Sequence, residues 1–323
     1  MKESPLFWPA ELKGDRLMVL DETRLPEELY YIAVTNTDEA VKVIREMKTR
    51  AFGQFLVVLN TFLLVLQKKY AFSQELFEEL RKTAEALNSS RPTFPFSEVT
   101  SIVIGWANQA LAQQVEIKPF LEKNIQGFLM GIKMKRLQRV QEIANLINDG
   151  DSVLTHCNVS GELAMASQLC REQNKDIHFF ATETRPYFQG SKLTCWELKE
   201  AEANVTLVAD NAVGSLMMDG LIDKVIIGSD RSCANGDIVN KIGSYQIAVL
   251  AKEFKIPLFA LTQPSNKIPK GEDIPIELRN PEELLMFQGK RIVPEKTQGF
   301  YPGFDIVPGE LIEKQIMIDP SGR

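Results

Sequence analysis

The chain has 323 residues, of which 44% are hydrophobic and 25% charged, with a formal net charge of -6. This composition is typical of a globular protein with a full core, and the length favours two domains over one. The negative charge gives no general attraction to nucleic acids or to anionic membranes. We therefore expect no nucleic-acid partner and no membrane partner.

Cysteine and histidine usage argues against a metal site. The sequence holds four cysteines and two histidines, and none of them fall in a CxxC or Cys/His ligand spacing. The N-terminal residues 1–8 include Lys2 and Glu3 and lack the apolar core of an export signal. The most apolar run, 52–66, is too short to span a bilayer. These features predict a cytoplasmic protein with reduced thiols.

The first third of the chain is predicted to be mainly helical. A strand is expected at 17–20, and Asn36 or Thr37 is expected to cap a helix that runs to Lys48. Further helical patterns cover 53–69, 73–88, 97–115 and 118–148. We interpret residues 1–125 as a helical N-terminal domain.

From Ser152 onward, short β-branched runs alternate with helical segments. Strands are predicted at 153–154, 177–181, 205–209, 224–227 and 257–261, and helices are predicted from Gly161 and from Asn240. Such alternation indicates a parallel sheet covered by helices. The predicted fold class is therefore α/β, a helical N-terminal domain followed by a Rossmann-like, mostly parallel α/β domain at 126–323. A GxGxxG fingerprint is missing, which disfavours a nucleotide-dependent oxidoreductase.

A first polar cluster, Thr155-His156-Cys157-Asn158, stands where a predicted strand ends. Ligands of open α/β sheets bind beyond the carboxyl ends of the strands. A cysteine just before a helix N-terminus can have its thiolate favoured by the helix dipole, or be held neutral if the pocket is dry. The alternative is a small buried hydrophobe, but its polar neighbours favour a function for Cys157. His156 has no evident acid partner and is interpreted as structural.

Two more clusters are expected at the same edge of the sheet. In the second, Arg185 and Gln189 could hydrogen-bond a polyol or phosphate, or Arg185 could pair locally with Glu183. In the third, Asp230 directly follows the strand at 224–227. Asn240 and Lys241 come next, and Lys241 at a predicted helix start suits a phosphate. Its alternative role is that of a surface lysine.

Two arginines of the helical domain stand next to predicted helices. Arg50 precedes the apolar helix, and Arg91 lies between two helices in Ser90-Arg91-Pro92. Either arginine could bind a phosphate through two parallel hydrogen bonds. Each could equally pair with the last carbonyl groups of the preceding helix.

Several motifs resemble one family of sugar-phosphate isomerases. They are LTHCN at 154–158, ETRP from Glu183, VADNAVGSLM from Val208 and GSDR followed by ANGDIVNKIGSY from Gly228. They are similar to motifs of the methylthioribose-1-phosphate isomerases. That family shares its fold with ribose-1,5-bisphosphate isomerases and with regulatory subunits of the exchange factor that recycles the initiator-tRNA GTPase. LDETRLP near Leu20, SRPT at Ser90 and GFDIVPGELI at Gly303 extend the resemblance over most of the chain.

The resemblance implies a catalytic pair and a set of substrate contacts. The pair is Cys157 and Asp230. The implied substrate-binding residues are Arg50, Arg91, Gln189, Asn240 and Lys241, with the two arginines on the phosphate. It also implies an enzyme that needs no cofactor and no metal, a homodimer, and a setting in methionine salvage.

The implied activity is the conversion of a pentose 1-phosphate to the ketose 1-phosphate. The phosphate on the anomeric oxygen blocks ordinary ring opening, so an acid must protonate the ring oxygen. We assign that step and the later hydroxyl deprotonation to Asp230, and transfer of the C2 proton to C1 to Cys157. A water-poor pocket would raise the pKa of such an aspartate.

Two departures from the family pattern leave the substrate open. Family members read RGAPAIG where this chain has Arg50-Ala51-Phe52-Gly53, and bulky Phe94 and Phe96 follow Arg91. The substituent at C5 could therefore be methylthio, deoxy or phospho. The alternative function is a non-catalytic sugar-phosphate- or nucleotide-binding regulatory subunit.

Overall fold

A computed structural model of the chain describes residues 1–92, 94–263 and 267–318. These residues form two compact units, Pro5–Met134 and a second unit of Met1–Ser4 with the chain from Lys135 onward. Met134 and Lys135 both lie within one long helix. The domain limits 1–125 and 126–323 therefore stay our proposal for the segments that fold independently.

The first unit combines a small antiparallel sheet with helices. Its elements are β1 (Ala10–Lys13), β2 (Arg16–Leu20), β3 (Tyr31–Val34), α1 (Thr37–Arg45), α2 (Ala51–Leu66), α3 (Ser73–Ser90), α4 (Phe96–Ala112) and the first part of α5 (Ile117–Leu146). The predicted helical character is confirmed, and the structure adds β1 and β3, which the sequence patterns did not predict. Asn36 caps α1, because its Oδ1 accepts a 3.0 Å hydrogen bond from the backbone N–H of Glu39.

Helix α2 is the core of the first unit. Most of its side chains are buried, including the polar Gln54, Asn60 and Thr61. Asn60 and Thr61 each donate to a backbone carbonyl one turn earlier, to Leu56 and Val57. Within the described residues, no helix has the length and apolar character needed to cross a bilayer.

The second unit alternates strands with helices. In chain order it contains β4 (Ser152–Thr155), α6 (Glu162–Glu172), β5 (His178–Thr182), α7 (Cys195–Glu200), β6 (Asn204–Val208), α8 (Val213–Met218), β7 (Lys224–Gly228), β8 (Arg231–Ser232), β9 (Ile238–Lys241), α9 (Ser244–Glu253), β10 (Leu258–Thr262), α10 (Glu282–Leu285), β11 (Met286–Phe287), β12 (Lys290–Arg291), β13 (Phe304–Val307) and β14 (Lys314–Met317). Five of these strands were predicted from the sequence.

The main sheet has six parallel strands in the order β14-β10-β7-β4-β5-β6. From β4 the chain proceeds outward through β5 and β6, and then crosses to the other side of β4 to form β7. The strand order therefore reverses between β4 and β7. In open α/β sheets this reversal marks the crevice where ligands bind. The expectation of a Rossmann-like, mostly parallel domain is confirmed.

The predicted first residue of one helix is wrong. The helix expected from Asn240 begins at Ser244 instead, and Asn240 and Lys241 belong to strand β9. β9 pairs antiparallel with both β8 and β13, and its Ile238 and Val239 are buried in that sheet. Lys241 is therefore the last residue of a strand and not the first residue of a helix. The β-branched residues Ile238 and Val239 favour a strand at this position.

Candidate active site

Cys157 lies in the loop that follows β4, in a backbone conformation that other elements hold in place. Its φ is 65°, in the left-handed region that residues other than glycine rarely adopt. Its N–H donates a 2.9 Å hydrogen bond to Thr184 Oγ1, and its carbonyl accepts a hydrogen bond from the Thr194 hydroxyl. Left-handed residues of this kind concentrate at functional sites, where the surrounding structure holds them.

His156 acts as a structural link beside Cys157. Its Nε2 donates to the carbonyl of Ile242 at 2.7 Å, and its Nδ1 accepts from the Thr182 hydroxyl at 2.6 Å. Burial lowers the pKa of this imidazole, so it stays neutral with its proton on Nε2. The side chain thus joins the ends of β4 and β5 to the turn before α9. This agrees with the structural role inferred from the sequence.

Gly243 makes that link possible. Its φ is 104°, and a Cβ at this position would lie 3.0 Å from the His156 ring. A larger residue would therefore be strained in its backbone and crowded against the imidazole. The glycine fixes the approach of the β9–α9 turn to the end of β4.

Asp230 lies two residues beyond β7 and is tied to β9. Its N–H donates to the carbonyl of Val239 at 2.9 Å, which places it beside Asn240. Asn240 is buried, and its Nδ2 donates to Ser244 Oγ at 2.8 Å. The Lys241 ammonium lies 4.7 Å from the centre of the Phe304 ring.

Gly228, the last residue of β7, shows how the two loops meet. A Cβ built on it would lie 3.4 Å from Val159 Cγ1 and 3.8 Å from Asn240 Oδ1. Val159 belongs to the Cys157 loop, and Asn240 is beside Asp230. The structure thus brings the Cys157 loop, the start of the Asp230 loop and Asn240 to the crevice between β4 and β7.

Gln189 adds a polar group to this edge of the sheet. Its side chain is buried, and its Oε1 has no hydrogen-bond partner among the described residues. The next residue, Gly190, begins the π-helical turn Gly190–Thr194 and packs directly against Thr182 and Thr184. Gln189 is thereby placed next to the loop that holds Cys157.

Unpaired buried oxygens are concentrated in this unit. Within the described residues there are four, namely Thr155 Oγ1, Gln189 Oε1, Thr262 Oγ1 and Tyr301 Oη. Thr155 and Thr262 end strands β4 and β10. An unsatisfied buried polar atom costs about 1–3 kcal/mol, so such atoms call for a ligand, a water or a functional reason.

A buried carboxyl group supports the residue after Cys157. Glu197 Oε1 accepts a 2.7 Å hydrogen bond from Asn158 Nδ2, and its Oε2 accepts one of 3.1 Å from the Ser4 hydroxyl. Burial raises the pKa of Glu197 to about 7. Asn158 in turn accepts from the N–H of Ser160 at 2.9 Å, which closes the turn.

Arg185 does not pair with Glu183 as one reading of the sequence suggested. Its guanidinium lies 5.3 Å from the ring centres of both Phe188 and Phe287. The backbone N–H groups of Thr184 and Arg185 donate to the two carboxylate oxygens of Asp210, at 2.6 and 2.8 Å. Asp210 therefore fixes the loop that holds Cys157.

Arg50 and Arg91 are both linked to Gln54 in the first turn of α2, within the first unit. Arg91 Nη1 donates to Gln54 Oε1 at 3.1 Å, and the N–H of Gln54 donates to the carbonyl of Arg50 at 2.8 Å. Arg50 Nε lies 3.5 Å from Glu22 Oε2. Arg50, the residue before α2, makes no side-chain capping hydrogen bond in the described structure. The N-terminus of a helix favours anions.

Sequence reasoning missed four residues that support these positions. They are Thr184 and Asp210 in the second unit and Glu22 and Gln54 in the first. Glu22, in the motif LDETRLP, contacts Arg50. Thr184, Asp210 and Glu22 lie in the motifs ETRP, VADN and LDETRLP. No local sequence pattern, however, indicates a hydrogen bond between residues far apart in the chain.

In the described part of the chain, no three His, Cys, Asp or Glu side chains lie close enough together to hold a metal ion. The polar groups at the sheet edge are instead a thiol, carboxyl, amide, ammonium and hydroxyl groups. This set suits proton transfer and hydrogen bonding to a polyhydroxylated ligand.

Comparison with known proteins decides the family. The model of the initiation factor 2 subunit family matches residues 54–317. The chain belongs to this family. A methylthioribose-1-phosphate isomerase of Desulforudis audaxviator is 36% identical, with 97% of this chain and 92% of the relative covered. The isomerase of Acetivibrio thermocellus is 35% identical and covers 97% of both chains.

Two solved structures of the family extend the comparison. The 5-methylthioribose 1-phosphate isomerase of Pyrococcus horikoshii superposes with a TM-score of 0.84 at 28% identity, over 98% of this chain and 93% of that chain. The delta subunit of translation initiation factor eIF-2B from A. fulgidus gives a TM-score of 0.80 at 32% identity, over 96% and 94%. The resemblance inferred from the motifs is confirmed, and an isomerase is the enzyme class of the curated relatives.

Proposed function

We propose that this chain is an aldose–ketose isomerase that converts methylthioribose 1-phosphate to the ketose 1-phosphate. The observation that carries the proposal is the meeting of the Cys157 and Asp230 loops at the crevice between β4 and β7. The choice of the methylthio substrate is supported by the names of relatives that match nearly the whole chain. A 5-deoxy or 5-phospho pentose 1-phosphate is the alternative substrate.

The proposed reaction needs two groups that exchange protons with the sugar. Asp230, protonated at the start, gives its proton to the ring oxygen as the C1–O4 bond breaks. The Cys157 thiolate takes the proton from C2, and the electrons of that bond form the C1=C2 double bond. Asp230 then removes the proton of the C2 hydroxyl while Cys157 returns its proton to C1. The ketone forms, and both side chains regain their starting states.

We assign the remaining contacts by the chemistry of the groups. The Gln189 amide, with its unpaired Oε1, and Asn240 are proposed to bind sugar hydroxyls. Lys241, Arg50 and Arg91 are proposed to bind the phosphate, because guanidinium and ammonium groups donate to phosphate oxygens.

The test is turnover by the purified protein without any added cofactor. Methylthioribose 1-phosphate, 5-deoxyribose 1-phosphate and ribose 1,5-bisphosphate are supplied separately, and proton NMR in D₂O follows loss of the anomeric signal. Cys157→Ser and Asp230→Asn should each lower kcat by about 10²- to 10⁴-fold, the usual effect of general acid–base catalysis. Absence of turnover on all three substrates would refute the isomerase.

Matched variants separate chemistry from damage to the fold. Cys195→Ser makes the same change at another half-buried cysteine, and Asp219→Asn makes it at an exposed aspartate after α8. Both should keep the kcat of the unchanged protein. If Cys195→Ser is as inactive as Cys157→Ser, the proton-transfer role of Cys157 is wrong.

A regulatory subunit is the second candidate, and the eIF-2B delta subunit of A. fulgidus supports it with 32% identity. Such a protein would be stabilised thermally by sugar phosphates or nucleotides without turning them over. It would also purify with a larger partner. The homodimer and the cytoplasmic location stay predictions, and light scattering after gel filtration tests the first.

A further inference from the structure

Tyr301 has a buried hydroxyl group that the fold does not use. The side chain is 4% exposed, and its Oη has no hydrogen-bond partner among the described residues. Its backbone is well fixed, because the Tyr301 carbonyl accepts from the N–H of Arg279 at 2.9 Å and Leu278 pairs with Pro302. A phenol held this firmly with its oxygen unpaired costs stability, so it calls for a partner outside the protein.

Burial decides the protonation state of the Tyr301 hydroxyl. Burial, the Glu283 carboxylate and, least of all, a charge on Cys157 together raise the pKa of Tyr301 to about 12, against the Arg279 guanidinium. The phenol therefore keeps its proton throughout the neutral range and acts as a hydrogen-bond donor. A phenol that keeps its proton can donate a hydrogen bond to a ligand without exchanging protons with it.

The surrounding charged groups are already engaged elsewhere. Arg279 donates to Glu283 Oε1 at 2.8 Å, to Glu277 Oε1 at 3.2 Å and to the Tyr187 hydroxyl at 3.3 Å. In the described structure Arg279 and Glu283 bond to each other and not to Tyr301 Oη. A purely structural tyrosine would be expected to pair with one of these neighbours.

Tyr187 connects this region to the Gln189 loop. Its hydroxyl accepts from Arg279, whose guanidinium also lies 5.2 Å from the Tyr187 ring centre. Gln189, two residues later, carries another buried oxygen without a partner in the described residues. Arg279 thus links the Tyr301 segment to the segment that carries Gln189, and each segment holds a buried oxygen without a partner among the described residues. Such a pair is expected where a polar ligand binds.

We propose that Tyr301 binds the substrate and donates a hydrogen bond to the oxygen on C2 of the sugar. This inference rests on the proposed isomerase function. In the second half of that reaction, the C2 hydroxyl loses its proton to Asp230 while C1 receives the proton from Cys157. Negative charge develops on the C2 oxygen in this step. A fixed donor stabilises that charge, and Tyr301 keeps its own proton in every step.

Tyr301→Phe tests the inference because it removes the hydroxyl and nothing else. The expected result is a kcat lowered by about 10²- to 10³-fold, the usual effect of losing one preorganised donor. KM should change far less, since the bond strengthens as charge develops. The melting temperature should stay equal or rise, because the lost oxygen has no partner among the described residues.

Tyr70→Phe is the matched control. The Tyr70 hydroxyl donates to the carbonyl of Val65 at 3.1 Å, and burial likewise raises its pKa to about 12. This variant should melt at a lower temperature and keep the kcat of the unchanged protein. The two tyrosines should therefore show opposite effects on stability and on turnover.

Three results would overturn the role of Tyr301. The first is a kcat for Tyr301→Phe within about twofold of the unchanged protein, and the second is a lowered melting temperature with unchanged kinetics. The third is the loss of an ionisation from the pH–rate profile, which would make Tyr301 an acid or base. If the unchanged protein isomerises no pentose 1-phosphate, the proposed function itself has failed, and the role of Tyr301 falls with it. If the unchanged protein and Tyr301→Phe are equally active, only the proposed role of Tyr301 is refuted, and the isomerase function stands.

Discussion

The N–H of Cys157 donates a 2.9 Å hydrogen bond to Thr184 Oγ1, and both residues have left-handed backbone conformations, with φ of 65° and 60°. Thr184 is β-branched, which makes a positive φ especially costly. Two strained loops, after neighbouring strands β4 and β5, thus stabilise each other. Their contact decides where the thiol of Cys157 is held.

Thr184→Ala should show that this bond positions the thiol. The variant leaves the N–H of Cys157 without its partner, which costs about 1–3 kcal/mol in the free energy of unfolding. The loop should then sample other positions, and kcat should fall about tenfold or more. Urea unfolding and steady-state kinetics measure the two effects. Thr184→Ser retains the hydroxyl and should stay close to the unchanged protein, so equal losses in both variants would contradict the positioning role.

Gly190→Ala should be strongly destabilising. A Cβ at Gly190 would lie 1.7 Å from the backbone oxygen of Thr182, which cannot move without disturbing β5. We expect a loss of about 3 kcal/mol, measured by urea unfolding. Gly214→Ala is the control, because its Cβ would meet only the flexible Leu250 side chain at 3.8 Å. It lies within α8 and should gain up to about 1 kcal/mol. Similar stability of both variants would be inconsistent with the packing described.

Glu197 should make stability depend on pH. Its pKa is about 7 in the folded protein and near 4.5 when exposed, because burial disfavours the charged form. Between these values the folded state binds more protons than the unfolded state, so this group's contribution to stability is lost as the pH rises from about 4.5 to about 7. Asn158, Ser4, the N–H of Gly161 and Arg136 face the carboxyl and oppose this shift.

Glu197→Gln removes that titration. Relative to the unchanged protein, the variant should become more stable by up to about 3 kcal/mol as the pH rises from 4.5 to 7.5. Urea unfolding across this range gives the difference. Glu200→Gln, at the exposed end of α7, should leave the pH dependence unchanged. Curves for Glu197→Gln that run parallel to those of the unchanged protein would show that Glu197 is not the group responsible.

Arg91→Lys should weaken substrate binding more than catalysis. Lysine keeps the charge but loses the planar fork of donors that fits a phosphate, and it cannot donate to Gln54 in the same way. We expect KM to rise about tenfold or more with little change in kcat. The same substitution at Arg81, half exposed on α3 and 4.0 Å from Glu78, should change neither constant. An unchanged KM would remove Arg91 from the phosphate site.

Much of the fold followed from local patterns. The five helices of 37–146 and five strands of the parallel sheet were predicted, because the spacing of buried apolar residues in each element follows the period of a helix or a strand. The failure at Asn240 is instructive. A polar residue before an apolar run can start a helix, but here Ile238 and Val239 pair with β8 and β13, which lie outside any local window.

Local patterns in the sequence were enough to identify the reactive groups and their places along the chain, with Cys157 and Asp230 each just after a strand end. The folded chain was needed to show that β7 lies beside β4 and that Thr184 holds Cys157. It was also needed to show that the Tyr301 hydroxyl is buried without a partner among the described residues. The difference lies in how far apart along the chain the interacting residues are. Helix and strand periodicity depend on neighbours a few residues apart, whereas strand order and the satisfaction of buried polar atoms depend on segments that meet only after the chain has folded.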